Sequence, residues 1–233
     1  FFFKQKTAYE IPKRDWSSDV CSSDLRQSEV HALSRNVFFL PGSGASPDFW
    51  KPAGERLPAD WRKTYFGWPG IGAQPPDPAV RGFDDLVAMV VAKMTEPVDL
   101  VAQSMGGVIA IRIALAHPQK VRRLVLAVTS GGVDLASFGA SDWRPDYRKL
   151  FPNAADWIYE RRVAAPLPVE RIAQPTLLLW GDADEISPAA VGRHLAAILP
   201  NAQLHVLVGG GHSLARDRPG EVAPLIEAHL AKD

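Results

Sequence analysis

Short, continuously apolar runs bounded by turn residues recur along this chain. Asn36–Leu40 (NVFFL) ends in Pro41-Gly42, and Thr64–Phe66 is a weaker run. Asp99–Ala102 (DLVA), Arg123–Val128 (RLVLAV), Pro175–Trp180 (PTLLLW) and Leu204–Val208 (LHVLV) follow. A strand with one wet face alternates apolar and polar residues. An unbroken apolar run is a strand buried on both faces, which is the pattern of parallel sheets. Helical periods lie between these runs. Phe83, Leu86, Val87, Val90, Val91 and Met94 share one helix face. Met105–Ala116 (MGGVIAIRIALA) is apolar almost all round except at Arg112, as a central buried helix must be. It stops at His117-Pro118, because the residue before proline avoids helical geometry. Ser187-Pro188 reads as the cap and first turn of a helix over Pro188–Leu199, with Val191, Leu195, Ile198 and Leu199 inward. A last helix carries Val222, Leu225, Ile226 and Leu230, and Pro224 leaves its start open. Alternation of this kind predicts an α/β fold, a mostly parallel open sheet flanked by helices.

One stretch interrupts the alternation. Residues 132–167 hold no clear strand and are rich in aromatics: Phe138, Trp143, Tyr147, Phe151, Trp157 and Tyr159. An insertion after a strand of such a sheet can roof the site at the strands' C-terminal ends. A short helical lid over 132–167 is therefore expected, and an aromatic mini-core of its own is compatible with it.

The candidate chemistry sits where the strands end. Leu100-Val101-Ala102-Gln103-Ser104-Met105-Gly106-Gly107 passes from strand to helix across Ser104. A serine on so tight a turn projects its hydroxyl out of the sheet, provided the residues two places to either side are small. Here they are Ala102 and Gly106, where the usual pattern is G-x-S-x-G. Read alone, Ser104 could equally cap the helix that starts at Met105. Three further loops follow strands: Pro41-Gly42-Ser43-Gly44, Gly181-Asp182-Ala183-Asp184-Glu185-Ile186-Ser187-Pro188, and Gly209-Gly210-Gly211-His212.

Taken together, in this order, these segments resemble the α/β-hydrolase superfamily over residues 36–231. The resemblance implies a serine hydrolase fold and a catalytic triad of Ser104, Asp184 and His212. It also implies an oxyanion hole formed by the backbone N–H groups of Ser43 and Met105. In that scheme His212 takes the proton of Ser104, and Asp184 orients and stabilises the imidazole. Asp182 competes with Asp184 for the acid's place, and the family's spacing favours Asp184. The family's early loop often reads His-Gly where this chain has Pro41-Gly42, which keeps the backbone donor and removes a neighbouring histidine. The implied reaction is cleavage of an ester or related acyl bond of a small molecule through an acyl-enzyme. The same triad serves C–C bond hydrolysis, acyl transfer or peracid formation elsewhere in the superfamily. A non-catalytic small-molecule-binding protein on this scaffold is the alternative from another class.

Composition narrows the partners. Residues 1–25, with KQKTAYEI at Lys4–Ile11 and DWSSDVCSSDL at Asp15–Leu25, resemble a translated sequencing-library adapter and are set outside the fold. The expectation is a native N-terminus lost beneath this tail, because Arg26–Arg35 is too short for the strand hairpin with which the family usually opens. The remaining residues 26–233 are expected to form a single domain. Four basic and four acidic residues lie in the tail, so the formal charge of the rest stays zero. No basic patch favours nucleic acid, and no polybasic run favours a membrane surface. The only cysteine, Cys21, lies in the tail, which removes disulfide and thiolate chemistry. No apolar run approaches the roughly 18 residues of a membrane span. The glycine loops lack a G-x-G-x-x-G or a P-loop lysine, and the histidines show no metal spacing, so no cofactor and no metal are expected. His31, His117, His194, His205 and His229 have no partner motif. A small-molecule substrate with an apolar group and a cytoplasmic address complete the expectation.

Overall fold

The computed structural model describes residues 35–159 and 166–232; the adapter-like segment lies outside them. Among the described residues, six strands form one sheet: β1 (Asn36–Leu40), β2 (Arg62–Tyr65), β3 (Val98–Gln103), β4 (Val121–Ala127), β5 (Thr176–Gly181) and β6 (Ala202–Leu207). Their order is β2-β1-β3-β4-β5-β6, and all five pairings are parallel. Every residue of β3 and β5 is buried, as continuous apolar runs at the centre of a parallel sheet require. The edge strands differ. β2 has no fully buried position and β6 has one, at Leu207.

Among the described residues there are seven α-helices: α1 (Lys51–Gly54), α2 (Phe83–Ala92), α3 (Met105–Ala116), α4 (Arg144–Leu150), α5 (Ala189–Ile198), α6 (Leu214–Asp217) and α7 (Pro219–Leu230). α3 packs on β1, β3 and β4 and against α2, while α1, α6 and α7 pack on one another. Seven of the twelve α3 residues are buried, which accounts for its nearly uniform apolar sequence. In α2, Leu86 and Val90 are buried, and Met94 just beyond its end joins them in the core.

Two boundaries differ from the sequence reading. Helix α5 starts at Ala189 with Pro188 before it, and the Ser187 side chain caps nothing. The Ser187 hydroxyl instead bonds the Thr129 carbonyl across the strand ends. α7 begins at Pro219 and runs through Pro224. Pro224 and Gly220 are both exposed, so water can reach the carbonyl that the proline leaves without an N–H.

The chain turns outward from β1 to the edge strand β2, then returns to β3 and proceeds the other way through β4, β5 and β6. The order reverses between β1 and β3. In an open parallel sheet, the crevice beyond the carboxyl ends of two such strands is where ligands bind. Between β4 and β5, residues 132–159 form short turns at Leu135–Phe138 and Asp156–Tyr159 together with α4. No helix of the described residues is long and apolar enough to cross a membrane.

Candidate active site

Ser104 stands between β3 and α3 with φ 51° and ψ −118°. A side-chain-bearing residue at positive φ costs roughly 1–3 kcal/mol and persists only where its surroundings enforce it. The enforcement is visible. The Ser104 N–H donates to the Ala127 carbonyl at 2.9 Å, and the Gly107 N–H donates to the Ser104 carbonyl at 3.0 Å. Close approach of β1 completes the turn. A Cβ on Gly106 would fall 2.5 Å from the carbonyl oxygens of Leu40 and Pro41. A Cβ on Gly42 would fall 2.2 Å from Gln103 Oε1 and 3.0 Å from Ser104 Cβ. Ala102, the departure from the usual glycine, is fully buried in β3 and its methyl group is accommodated.

The loops after β5 and β6 deliver the other two side chains. Asp184 Oδ1 accepts the backbone N–H of Ile186 at 2.8 Å and of Ser187 at 3.0 Å. Its Oδ2 is thereby turned toward His212 Nδ1, 2.8 Å away. The Asp184 side chain is fully buried, and that of His212 is 21% exposed. His212 Nε2 lies 3.0 Å from Ser104 Oγ. A carboxylate only accepts, so Nδ1 carries the ring proton and Nε2 is left to accept from the serine hydroxyl. Gln103 Nε2 donates to the His212 carbonyl at 3.1 Å and Trp180 Nε1 to the Ser187 carbonyl at 2.9 Å, which fixes both loops. Asp182 points elsewhere, with Oδ1 accepting the Gly209 N–H at 2.6 Å.

Ser43 and Met105 line the same cavity as Ser104 and His212. Met105 opens α3, where an N–H has no acceptor within the helix. Ser43 sits in a turn closed by the Ala45 N–H on the Gly42 carbonyl at 3.0 Å. The cavity measures about 1150 Å³. Met105, Val108, Val133, Leu135, Trp143 and Ile158 supply apolar wall, and Arg81, Asp84, Arg112 and Asp142 lie at its polar parts. Three contributors escaped the sequence reading: Gln103, Ser187 and Tyr147. Their partners lie 109, 58 and 104 residues away, so no local pattern marks them.

Among the described residues, the other histidines lie apart from this cavity's lining. His117 follows the last turn of α3, and His205 lies in β6. The His194 ring packs at a tilt against Phe138, with ring centres 5.2 Å apart. His229 is buried, and His31 lies outside the described residues.

Comparison with known proteins gives a consistent picture. A profile of the alpha/beta hydrolase family matches residues 37–225. A pimeloyl-acyl carrier protein methyl ester esterase of Neisseria meningitidis is 27% identical, over 81% of this chain and 89% of its own. A poly(3-hydroxyalkanoate) depolymerase of Ectopseudomonas oleovorans is 26% identical, over 90% of this chain and 88% of its own. Among solved structures, a meta-cleavage product hydrolase from Pseudomonas fluorescens superposes with a TM-score of 0.70 at 20% identity. That superposition covers 84% of this chain and 90% of that one, a likeness of fold.

Proposed function

The chain belongs to the alpha/beta hydrolase family, and on that premise we propose a serine hydrolase in which Ser104 attacks an ester or related acyl carbon of a small molecule. The observation that carries this reading is the position of His212, 3.0 Å from the Ser104 hydroxyl and 2.8 Å from the Asp184 carboxylate. A serine hydroxyl is a weak nucleophile until a base takes its proton. His212 Nε2 takes that proton as Oγ bonds the acyl carbon, and Asp184 stabilises the imidazolium that forms. The negative charge moves to the former carbonyl oxygen, where the N–H groups of Ser43 and Met105 receive it. Collapse expels the alcohol, which leaves with the proton from His212. Water then repeats the sequence on the acyl-enzyme and frees Ser104.

The apolar wall supports a substrate whose acyl or alcohol part is apolar, and the described residues of the 132–167 insertion serve as the lid over it, residues 160–165 lying outside those described. The names of the Neisseria and Ectopseudomonas relatives are in line with ester chemistry.

The test is hydrolysis of p-nitrophenyl esters from acetate to octanoate by wild type and Ser104→Ala, with fluorophosphonate labelling alongside. Turnover that falls by several orders of magnitude in the variant supports the reading. An unlabelled Ser104 and no turnover would instead indicate a binding protein on this scaffold.

A further inference from the structure

Tyr147 belongs to the segment over the cavity, yet its hydroxyl ends on the loop that follows β1. Tyr147 Oη donates to the Ser43 carbonyl at 2.7 Å and accepts from the Gly72 N–H at 2.8 Å. An amide N–H only donates and a carbonyl only accepts, so the direction of the chain is fixed: Gly72 N–H, Tyr147 O–H, Ser43 C=O. Linked bonds of this kind polarise one another. Burial pushes the phenol up to about 12, so the hydroxyl keeps the proton it donates. The ring is held by Trp143 at 5.2 Å, Phe151 at 4.9 Å and Tyr159 at 5.9 Å between centres. Every one of these neighbours comes from the same insertion.

At the receiving end, Ser43 and Gly44 form the centre of the turn closed by the Ala45 N–H on the Gly42 carbonyl. Ala45 itself takes φ 60°, so this turn is strained and needs outside support. The Ser43 N–H and the Ser43 carbonyl lie on neighbouring rigid peptide planes that share one Cα. Fixing the carbonyl therefore limits the swing of the N–H.

Resting on the reading of Ser104 as nucleophile, we propose that Tyr147 is a positioning residue. It ties the seating of the insertion over the cavity to the aim of the Ser43 N–H at the developing oxyanion. With the insertion seated, the donor is held in place; with it displaced, the turn loses its tether and the donor drifts. Outright loss of an oxyanion donor costs roughly 10²–10³ in rate. Loosening one should cost less, on the order of tenfold, and should leave ground-state binding nearly alone.

The experiment compares wild type, Tyr147→Phe and Leu150→Ala on p-nitrophenyl butyrate, each checked by melting temperature. Inhibition by phenylboronic acid, whose serine adduct places an oxygen at the oxyanion position, is measured in parallel. Tyr147→Phe should lower kcat about tenfold, hold KM within about twofold, and weaken the boronic acid by a factor similar to the kcat loss. Leu150→Ala trims an exposed side chain of the same insertion, leaves the Tyr147 hydroxyl and its ring contacts in place, and should stay close to wild type. Unchanged kcat in Tyr147→Phe, an equal loss in Leu150→Ala, or a rise in KM alone would overturn the proposal. If Tyr147→Phe does not fold, 3,5-difluorotyrosine at position 147 keeps the shape and makes the phenol more acidic. It should then lose kcat at an alkaline pH where wild type is flat, and a flat profile overturns the proposal. A wild type inert to fluorophosphonate is a separate outcome, which removes the Ser104 reading beneath it.

Discussion

Asp182 and Asp184 sit two residues apart in the loop after β5 and face different partners. Asp184 gives one oxygen to the Ile186 and Ser187 N–H groups and the other to His212. Asp182 gives an oxygen to the Gly209 N–H near the surface. Asp184→Asn would place an amide where the Nδ1 proton needs an acceptor. The favoured tautomer then reverses, and Nε2 loses its ability to accept the serine proton. We expect kcat to fall by about 10³–10⁴ with KM little changed, while Asp182→Asn stays within about fivefold of wild type. Steady-state kinetics on one activated ester decide it: equal losses in the two variants, or none in Asp184→Asn, refute the assignment. Residue types and loop positions, read through the family resemblance, nominated Ser104, His212 and an aspartate of the loop after β5, with the family's spacing in favour of Asp184. They could not separate the two aspartates, since the choice depends on which side chain the turn at Ile186 and Ser187 directs inward. Nor could they find Gln103 or Tyr147, whose bonds reach across more than a hundred residues.

At the scale of elements, the elbow depends on how closely α3 approaches the end of β1. Gly106 lies in the first turn of α3, and a methyl group there would meet two main-chain oxygens at 2.5 Å. Main-chain atoms at a strand end cannot rotate aside as a side chain would, so the helix must shift and carry Ser104 and the Met105 N–H with it. Gly106→Ala should cost on the order of 2–4 kcal/mol and lower kcat/KM more than about tenfold through the misplaced donor. Gly220→Ala is the comparison, because a Cβ in the first turn of α7 meets nothing within 4 Å. Its melting temperature should stay level or rise slightly, as expected for alanine in place of a helical glycine. A Gly106→Ala protein as stable and active as wild type would show that the contact yields easily. The elements themselves were readable to different degrees for a physical reason. β3 and β5 are buried on both faces, and their apolar runs show it. β2 (RKTY) is an edge strand without a fully buried residue, so only its downstream end reads as a strand. Ser187 carries the sequence signature of a cap, yet its hydroxyl is drawn to the Thr129 carbonyl by packing that no local signature encodes.

The molecule as a whole is polarised along its strands. Because every pairing is parallel, Ser43, Ser104, Asp184 and His212 all gather at one rim. His229 lies elsewhere, in α7, beside the backbone of Leu124 in the middle of β4 and of Pro175 just before β5. Its side chain is buried. Burial first, then the Arg123 guanidinium and Lys232, push its pKa down from 6.5 to about 4 against the pull of the Pro175 and Leu124 backbone groups. The sign of the effect on stability follows from proton counting. Between pH 4 and 6.5 the unfolded chain holds a proton at this position that the folded chain excludes. Stability from this residue is therefore complete above about pH 6.5 and is lost progressively as the pH falls toward 4. Allowing for some solvent access, the loss is on the order of 2 kcal/mol. His229→Leu removes the titration and keeps an apolar filling. Urea unfolding of wild type and variant at several pH values between 4 and 7.5 isolates the effect, because every other titrating group is common to both. The wild-type curve should fall more steeply below pH 6.5, with the two separating by roughly that amount. Parallel curves would mean that His229 is protonated in the folded state at no cost. Unfolding is the right readout, because activity also depends on the proton transfers among Ser104, His212 and Asp184, which lie apart from His229.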